Sequence, residues 1–201
     1  ILSRDLRRRE VERIARKIRR RAEEAPEARG WYPEARAWAA TVAPDGPDLL
    51  LDMLAATSAR AGIRGNLRAA FRAYRLASRG LPTAWGAPYG VPFNTSSVAR
   101  VAAGLPLTGA KVGPFAAALR GDPAAVAIDV WMARAAGYRD GPTERERSLV
   151  EEGVRVAARR LGWSPAETQA ACWAAERRAA GRTASESYAQ AWASIESDAT
   201  A

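Results

Sequence analysis

A chain of 201 residues with 48% hydrophobic side chains is long enough to bury a sizeable core, arranged as one domain or as two small lobes. It carries a formal charge of +9, no histidine and a single cysteine, Cys172, which excludes His-dependent triads, the usual zinc sites, an intramolecular disulfide and a four-cysteine iron–sulfur cluster. Any catalysis then falls to Asp, Glu, Lys, Tyr, Ser or backbone groups with no metal or cofactor, and a polyanion is the natural partner, nucleic acid before membrane.

No signal peptide, no apolar run of membrane-spanning length and no helix with a large aromatic and leucine face is present, so a cytoplasmic protein with no membrane partner is expected. Pro and Gly punctuate segments that otherwise read as helix, and no stretch of alternating β-branched residues occurs. The predicted fold class is all-α, with eight to ten helices.

The first predicted helix covers residues 3 to 24, with Ser3 as a candidate N-cap and Pro26 beyond its end. Residues 1 to 21 hold ten basic and three acidic side chains. A short helix from Pro33 to about Val42 follows. After Pro44-Asp45-Gly46-Pro47, the pattern Leu49, Leu50, Met53 and Leu54 predicts an apolar helix central to the core, ending near Ser58 to Gly62.

From Ile63 to about Ser78, Ile63, Leu67, Phe71 and Tyr74 line one face, and Arg60, Arg64, Arg68 and Arg72 recur every fourth residue beside them with no acid between. Such a stripe is either a solvated arginine face or a phosphate-contacting one. Residues 80 to 93 form a Pro/Gly loop whose Trp85, Tyr89 and Phe93 either stack a base or pack beneath the loop.

The next helix is expected from a cap at Asn94-Thr95-Ser96-Ser97 to about Ala103. A turn and a helix from Ala110 to Leu119 follow, and after the break Gly121-Asp122-Pro123 another helix runs from Asp129 to Gly137. Two capping boxes, Thr143 with Glu146 and Ser164 with Glu167, announce the next two helices, Pro165 taking the first position of the second. Val150, Val154, Ala157 and Leu161 stripe the first. The second holds Gln169, Cys172 as a packed small hydrophobe, and Trp173; a tail helix from about Ser185 to Ile195 carries Tyr188 and Trp192.

Of 31 basic residues only Lys17 and Lys111 are lysines. A lysine kept in the tight turn Leu105-Pro106-Leu107-Thr108-Gly109-Ala110-Lys111 points to a task guanidinium cannot do, such as acting as an amine nucleophile. A helix, a Leu-Pro-x-x-Gly turn and a second helix aim backbone N–H groups and a positive helix end at one phosphate, without reading sequence. Asp129 follows Lys111 by eighteen positions (129 − 111), in Ile128-Asp129-Val130-Trp131-Met132-Ala133-Arg134.

This order of parts resembles the helix-hairpin-helix DNA glycosylase superfamily typified by endonuclease III. There the hairpin reads Leu-Pro-Gly-Val-Gly-x-Lys and the catalytic aspartate follows in Val-Asp-Thr-His-x-x-Arg. Leu105, Pro106, Gly109 and Lys111 match the hairpin, and Asp129 and Arg134 the aspartate segment; Leu107 replaces the first glycine, Trp131 stands in the histidine region, and the cysteine cluster is missing. The chain looks closer to a divergent branch of phages and mobile elements.

The resemblance implies a two-lobed helical bundle with a helix-hairpin-helix motif and a DNA-binding cleft. Residues 46 to 137 would form the core motif region, and residues 1 to 45 and 138 to 201 would pack as the second lobe. It implies a monomeric DNA glycosylase that flips a damaged or modified base, a modified pyrimidine foremost, out of duplex DNA. Asp129 would stabilise the cation at C1′, and Lys111 would either add a lyase step through a Schiff base or only contact phosphate or pair with Asp129. Arg60 would enter the duplex; Leu105, Leu107, Gly109, Arg64, Arg68 and Arg134 would contact DNA; Trp131, Trp85, Tyr89 and Phe93 would receive the base. Two readings stand beside this one, a glycosylase of hypermodified phage DNA, serving defence or modification metabolism, and a non-catalytic DNA-binding module in which Asp129 is only a helix cap.

Overall fold

A computed structural model describes residues 4–139, 141–182 and 186–200, and every regular element among them is helical. In chain order these are α1 (Arg4–Glu23), α2 (Trp31–Val42), α3 (Pro47–Ala56), α4 (Ile63–Ala77) and α5 (Pro92–Ala102). They continue as α6 (Val112–Leu119), α7 (Val130–Ala136), α8 (Glu144–Leu161), α9 (Pro165–Ala179) and α10 (Tyr188–Thr200). Short 3-10 turns occupy Pro26–Gly30 and Thr83–Gly86. The candidate cap Ser3 and the expected start of the tail helix at Ser185 lie outside the described residues.

The chain divides into two compact units, one of residues 1–32 and 122–185, the other of residues 33–121 and 186–201. The expected core region of 46–137 is therefore cut at 121/122. The cut falls where Gly121 takes φ 105 and the chain turns away to dock on α9, Ala166 N donating to the Pro123 carbonyl at 3.0 Å. Asp129 belongs to the first unit and Lys111 to the second.

In the first unit, α1 buries Val11, Ile14, Ile18 and Ala22 against Leu149, Val150, Val154 and Ala157 of α8, with Met132 of α7 and Ala171 and Cys172 of α9 completing the core. Gly153 lets α1 and α8 approach, because a Cβ there would stand 2.5 Å from Ile14 Cγ2. Both expected capping boxes are formed. Thr143 N donates to Glu146 at 2.7 Å and Ser164 N to Glu167 at 2.7 Å, each answered by the return bond to the hydroxyl. Burial pushes the Cys172 thiol well up from its ordinary range, as suits an inert core residue.

In the second unit, α3 buries Leu50, Leu51, Met53 and Leu54, while Leu49 is only half-buried. On α4, Leu67, Ala70 and Ala73 are buried and Phe71 stacks on Trp192 of α10 at 4.4 Å between centroids. The Asn94 segment is not a cap. Pro92 takes the first helical position, where its missing N–H costs nothing, and Asn94 becomes a fully buried residue inside α5. The box that opens α10 is formed by Ser187 and Gln190.

Candidate nucleic-acid interface and carboxylate site

The second unit presents two turns of interest, one exposed and one exposed chiefly at its tip. The first joins α5 to α6. Gly104 at φ 69 ends α5, Leu105 N returns to the Arg100 carbonyl at 2.9 Å, and the Arg100 guanidinium donates to the Pro106 carbonyl at 3.0 Å. Leu105 is 50% exposed, Pro106, Thr108 and Gly109 are exposed, and Leu107 is half-buried. Gly109 takes φ 109, which favours glycine, and no side chain caps the first turn of α6. Close approach within the turn is secured at Gly113, where a Cβ would lie 3.2 Å from the Leu107 carbonyl oxygen.

The second turn, residues 57 to 62, follows α3. Three successive carbonyls in it receive side-chain donors: Asn94 Nδ2 lies 3.2 Å from Thr57 O and 3.3 Å from Ala59 O, and Lys111 Nζ donates to Ser58 O at 3.1 Å. Asn94 Nδ2 also reaches the Tyr89 carbonyl at 2.7 Å, so one amide ties this turn to the 80–93 loop. Below, Asn66 donates to Thr57 Oγ1 at 2.7 Å and accepts from Tyr188 at 2.7 Å. At the tip sits Arg60, exposed and at φ 55, a left-handed conformation that L side chains adopt at a cost.

The arginine repeat that runs from the 57–62 turn into α4 is not uniform. Arg64 pairs with Glu186 at 2.9 Å and Arg72 donates to the Gly86 carbonyl at 3.3 Å, whereas Arg60 and Arg68 are exposed with no carboxylate in ion-pair range among the described residues. No acid lies between these arginines in the sequence, yet a glutamate far along the chain returns to pair with one of them. Of the loop aromatics, Trp85 is 70% and Phe93 50% exposed. Tyr89 is buried, donates its hydroxyl to the Thr83 carbonyl and has its phenol pushed up by burial. It plugs the loop from below and offers no face to a base, which corrects its expected place in a pocket.

In the first unit Asp129 caps α7 and holds three hydrogen bonds. Oδ1 accepts from Trp131 N at 2.9 Å and Met132 N at 3.0 Å, and Oδ2 accepts from the Trp173 indole at 2.9 Å. These three donors fix the carboxylate in one orientation. Two guanidinium groups lie near the Trp131 ring, Arg134 at 4.6 Å and Arg177 at 5.7 Å from its centroid. Arg177 also stacks on Trp173 at 4.6 Å, and Trp31 packs on Trp173 at 6.0 Å. Trp131 thus sits among cations, and Trp173, Arg177 and Trp31 are members of this cluster that local sequence reading missed. Their only sequence signal is the i, i+4 spacing of Trp173 and Arg177.

Among the described residues no three His, Cys, Asp or Glu side chains are grouped so as to hold a metal, and no helix is long and apolar enough to cross a membrane. Residues 2–180 match the model of a family of unknown function, DUF7178, and the chain belongs to that family. No curated protein matches the chain, and no solved structure does.

Proposed function

We propose that this DUF7178 protein is a DNA glycosylase, holding duplex DNA through the 105–111 turn, inserting Arg60 into the stack and releasing a modified base by hydrolysis assisted by Asp129. One observation carries the reading: the Lys111 ammonium, which closes the 105–111 turn, is anchored on the carbonyl of Ser58, two residues from Arg60. A turn suited to a phosphate and a turn suited to entering a duplex are thereby coupled within one unit. The α5–turn–α6 arrangement supports a helix-hairpin-helix, and the formal charge of +9 supports a polyanionic partner.

In the reaction, water adds at C1′ as the C1′–N bond breaks, and the bonding pair leaves with the base. Positive charge builds on the sugar in the transition state, and the Asp129 carboxylate stabilises it and accepts the proton of the attacking water. Lys111, committed to Ser58, acts here by positioning; a lyase step through its amine requires that bond to open.

A specific observation favours a second reading, a DNA-binding module without catalysis: both Asp129 oxygens are already engaged as hydrogen-bond acceptors. The two separate on one assay. Duplexes carrying uracil, oxidised pyrimidines, 8-oxoguanine, alkylated purines, or hydroxymethylated and glucosylated cytosine are incubated with the protein, and abasic sites are scored. Release of a base that is lost in Asp129→Asn supports the glycosylase. Duplex binding without any abasic site supports the module. Borohydride trapping lost in Lys111→Gln, with base release kept, assigns the lysine a lyase step.

A further inference from the structure

Helix α1 buries Val11, Ile14, Ala15, Ile18 and Ala22 on one face. At about 100° per residue, Arg9, Arg13, Arg16 and Arg20 fall within an arc of about 60° opposite that face, with Lys17 about 40° further round. Arg9, Arg16, Lys17 and Arg20 are exposed.

Like charges in a row repel unless acids intervene, and here the acids are taken by other cations. Glu10 is held by Arg13 at 2.6 Å, Glu12 by Arg160 at 2.6 Å, Glu24 by Arg21 at 2.7 Å and Glu176 by Arg21 at 2.9 Å. Arg16 and Lys17 reach Glu12 and Glu10 only as longer-range charges. Among the described residues no carboxylate lies within ion-pair distance of Arg9, Arg16, Lys17 or Arg20. At one end the strip runs into a groove of about 340 Å³ lined by Lys17, Arg20, Arg21 and Arg134 against Glu24 and Glu176.

From Arg9 to Arg20 the helix rises about 16 Å, which matches roughly five phosphates along one strand at about 3.4 Å each. A bilayer surface is a poor fit, since it needs an apolar face beside the cations, and Leu6 is the one large apolar side chain of α1 exposed beyond a third of its surface. An acidic protein is a poor fit for the same reason, since interface cores are built on aromatic and aliphatic anchors.

We infer that the outer face of α1, with Arg9, Arg16, Lys17 and Arg20 leading to Arg134, tracks the sugar–phosphate backbone of duplex DNA. It is a phosphate-contacting surface in addition to the 105–111 turn. The inference rests on the duplex partner proposed above and not on the chemistry, so Asp129→Asn protein retains it.

The test is the salt dependence of binding to an unmodified fluorescent duplex between about 50 and 200 mM salt. The triple variant Arg9→Gln, Arg16→Gln, Arg20→Gln is compared with a charge-matched control, Arg145→Gln, Arg159→Gln, Arg182→Gln, whose exposed arginines lie off the strip on the same unit. Each lost contact lowers the slope of log K against log salt by about 0.9, so the strip variant is expected to lose about 2 to 3 in slope and about ten- to hundredfold in affinity. The control is expected to lose far less. Circular dichroism confirms that both variants are folded, and Arg16→Gln alone, with an expected slope change of about 0.9, serves if the triple variant is not. Equal losses in strip variant and control, or an unchanged slope, overturn the inference, as does binding to phosphatidylserine vesicles with none to duplex. Slope loss in the strip variant without base release from any substrate leaves the inference standing and sinks only the glycosylase.

Discussion

The indole of Trp173 donates to Oδ2 of Asp129 at 2.9 Å, while Oδ1 of the same carboxylate accepts two backbone N–H groups of α7. The backbone bonds cap a helix; the indole bond fixes the second oxygen, which a cap does not require. Structural and chemical roles can therefore be separated by substitution. Asp129→Ala is expected to cost about 1 kcal/mol in urea unfolding as a lost N-cap, whereas Asp129→Asn keeps the capping acceptor, loses only the bond from the Trp173 indole, at a cost of about 1 kcal/mol, and loses base release. Trp173→Phe keeps a ring in the cluster and removes only the donor. It should lower kcat about tenfold or more with little change in KM. Wild-type kcat in Trp173→Phe, beside an inactive Asp129→Asn, would leave the indole a packing group only.

Arg60 holds φ 55 on a turn clamped at three carbonyls, so the strain is imposed by its surroundings. Arg60→Gly relieves a left-handed residue while increasing the freedom of the unfolded chain, two effects of about 1 kcal/mol and opposite sign. Stability by denaturant titration is expected to stay within about 1 kcal/mol of wild type, while duplex binding and base release fall. Full activity in Arg60→Gly would remove the side chain from any role in the duplex.

What could be read along the chain was local. The boxes of Thr143 and Ser164 and the cap of Asp129 each lie within one helical turn, where spacing alone dictates who bonds whom. Asn94 was misleading for the same reason, since a residue with cap chemistry stands two places inside a helix that Pro92 had already begun. Trp173 meets Asp129 across 44 positions, Lys111 meets Ser58 across 53, and Glu186 meets Arg64 across 122. Periodicity within one helix carries no information about such pairs, because packing between helices decides them.

Two glycines in helices make opposite predictions for alanine. At Gly65 in α4 a Cβ meets nothing within 4 Å, so Gly65→Ala should stabilise by about 0.5–1 kcal/mol through helix propensity. At Gly153 in α8 the Cβ would stand 2.5 Å from Ile14 Cγ2 and 3.1 Å from its Cβ, on a fully buried β-branched side chain with little freedom to turn away. Overpacking of about 1–3 kcal/mol outweighs the propensity gain there, and Gly153→Ala should lower the unfolding midpoint while Gly65→Ala raises it. A stabilised Gly153→Ala would show that α1 and α8 are not packed as closely as the Gly153 and Ile14 contact requires.

Stability should also fall at both ends of the pH scale through one trio. Glu10 accepts from the Arg13 guanidinium at 2.6 Å and from the Tyr138 hydroxyl at 2.8 Å, and Arg13 foremost brings its carboxyl from 4.5 to about 2 against the opposing effect of burial. A lowered folded value stabilises the protein above about pH 4.5, and that contribution drains away as pH falls from 4.5 towards 2. Tyr138 has the opposite sign: burial, then the neighbouring Glu10, pushes its phenol from 10 to about 12. Its contribution is complete below pH 10 and is lost as pH rises from 10 to about 12. Urea unfolding followed across both windows should therefore show a shallower acid limb in Glu10→Gln and a shallower alkaline limb in Tyr138→Phe. Tyr89, also raised by burial, contributes to the alkaline limb in both proteins, so the quantity to compare is the difference between wild type and Tyr138→Phe. Parallel curves above pH 10 would mean that Tyr138 ionises as freely in the folded chain as in the unfolded one, and the Tyr138–Glu10 bond would then carry no stability.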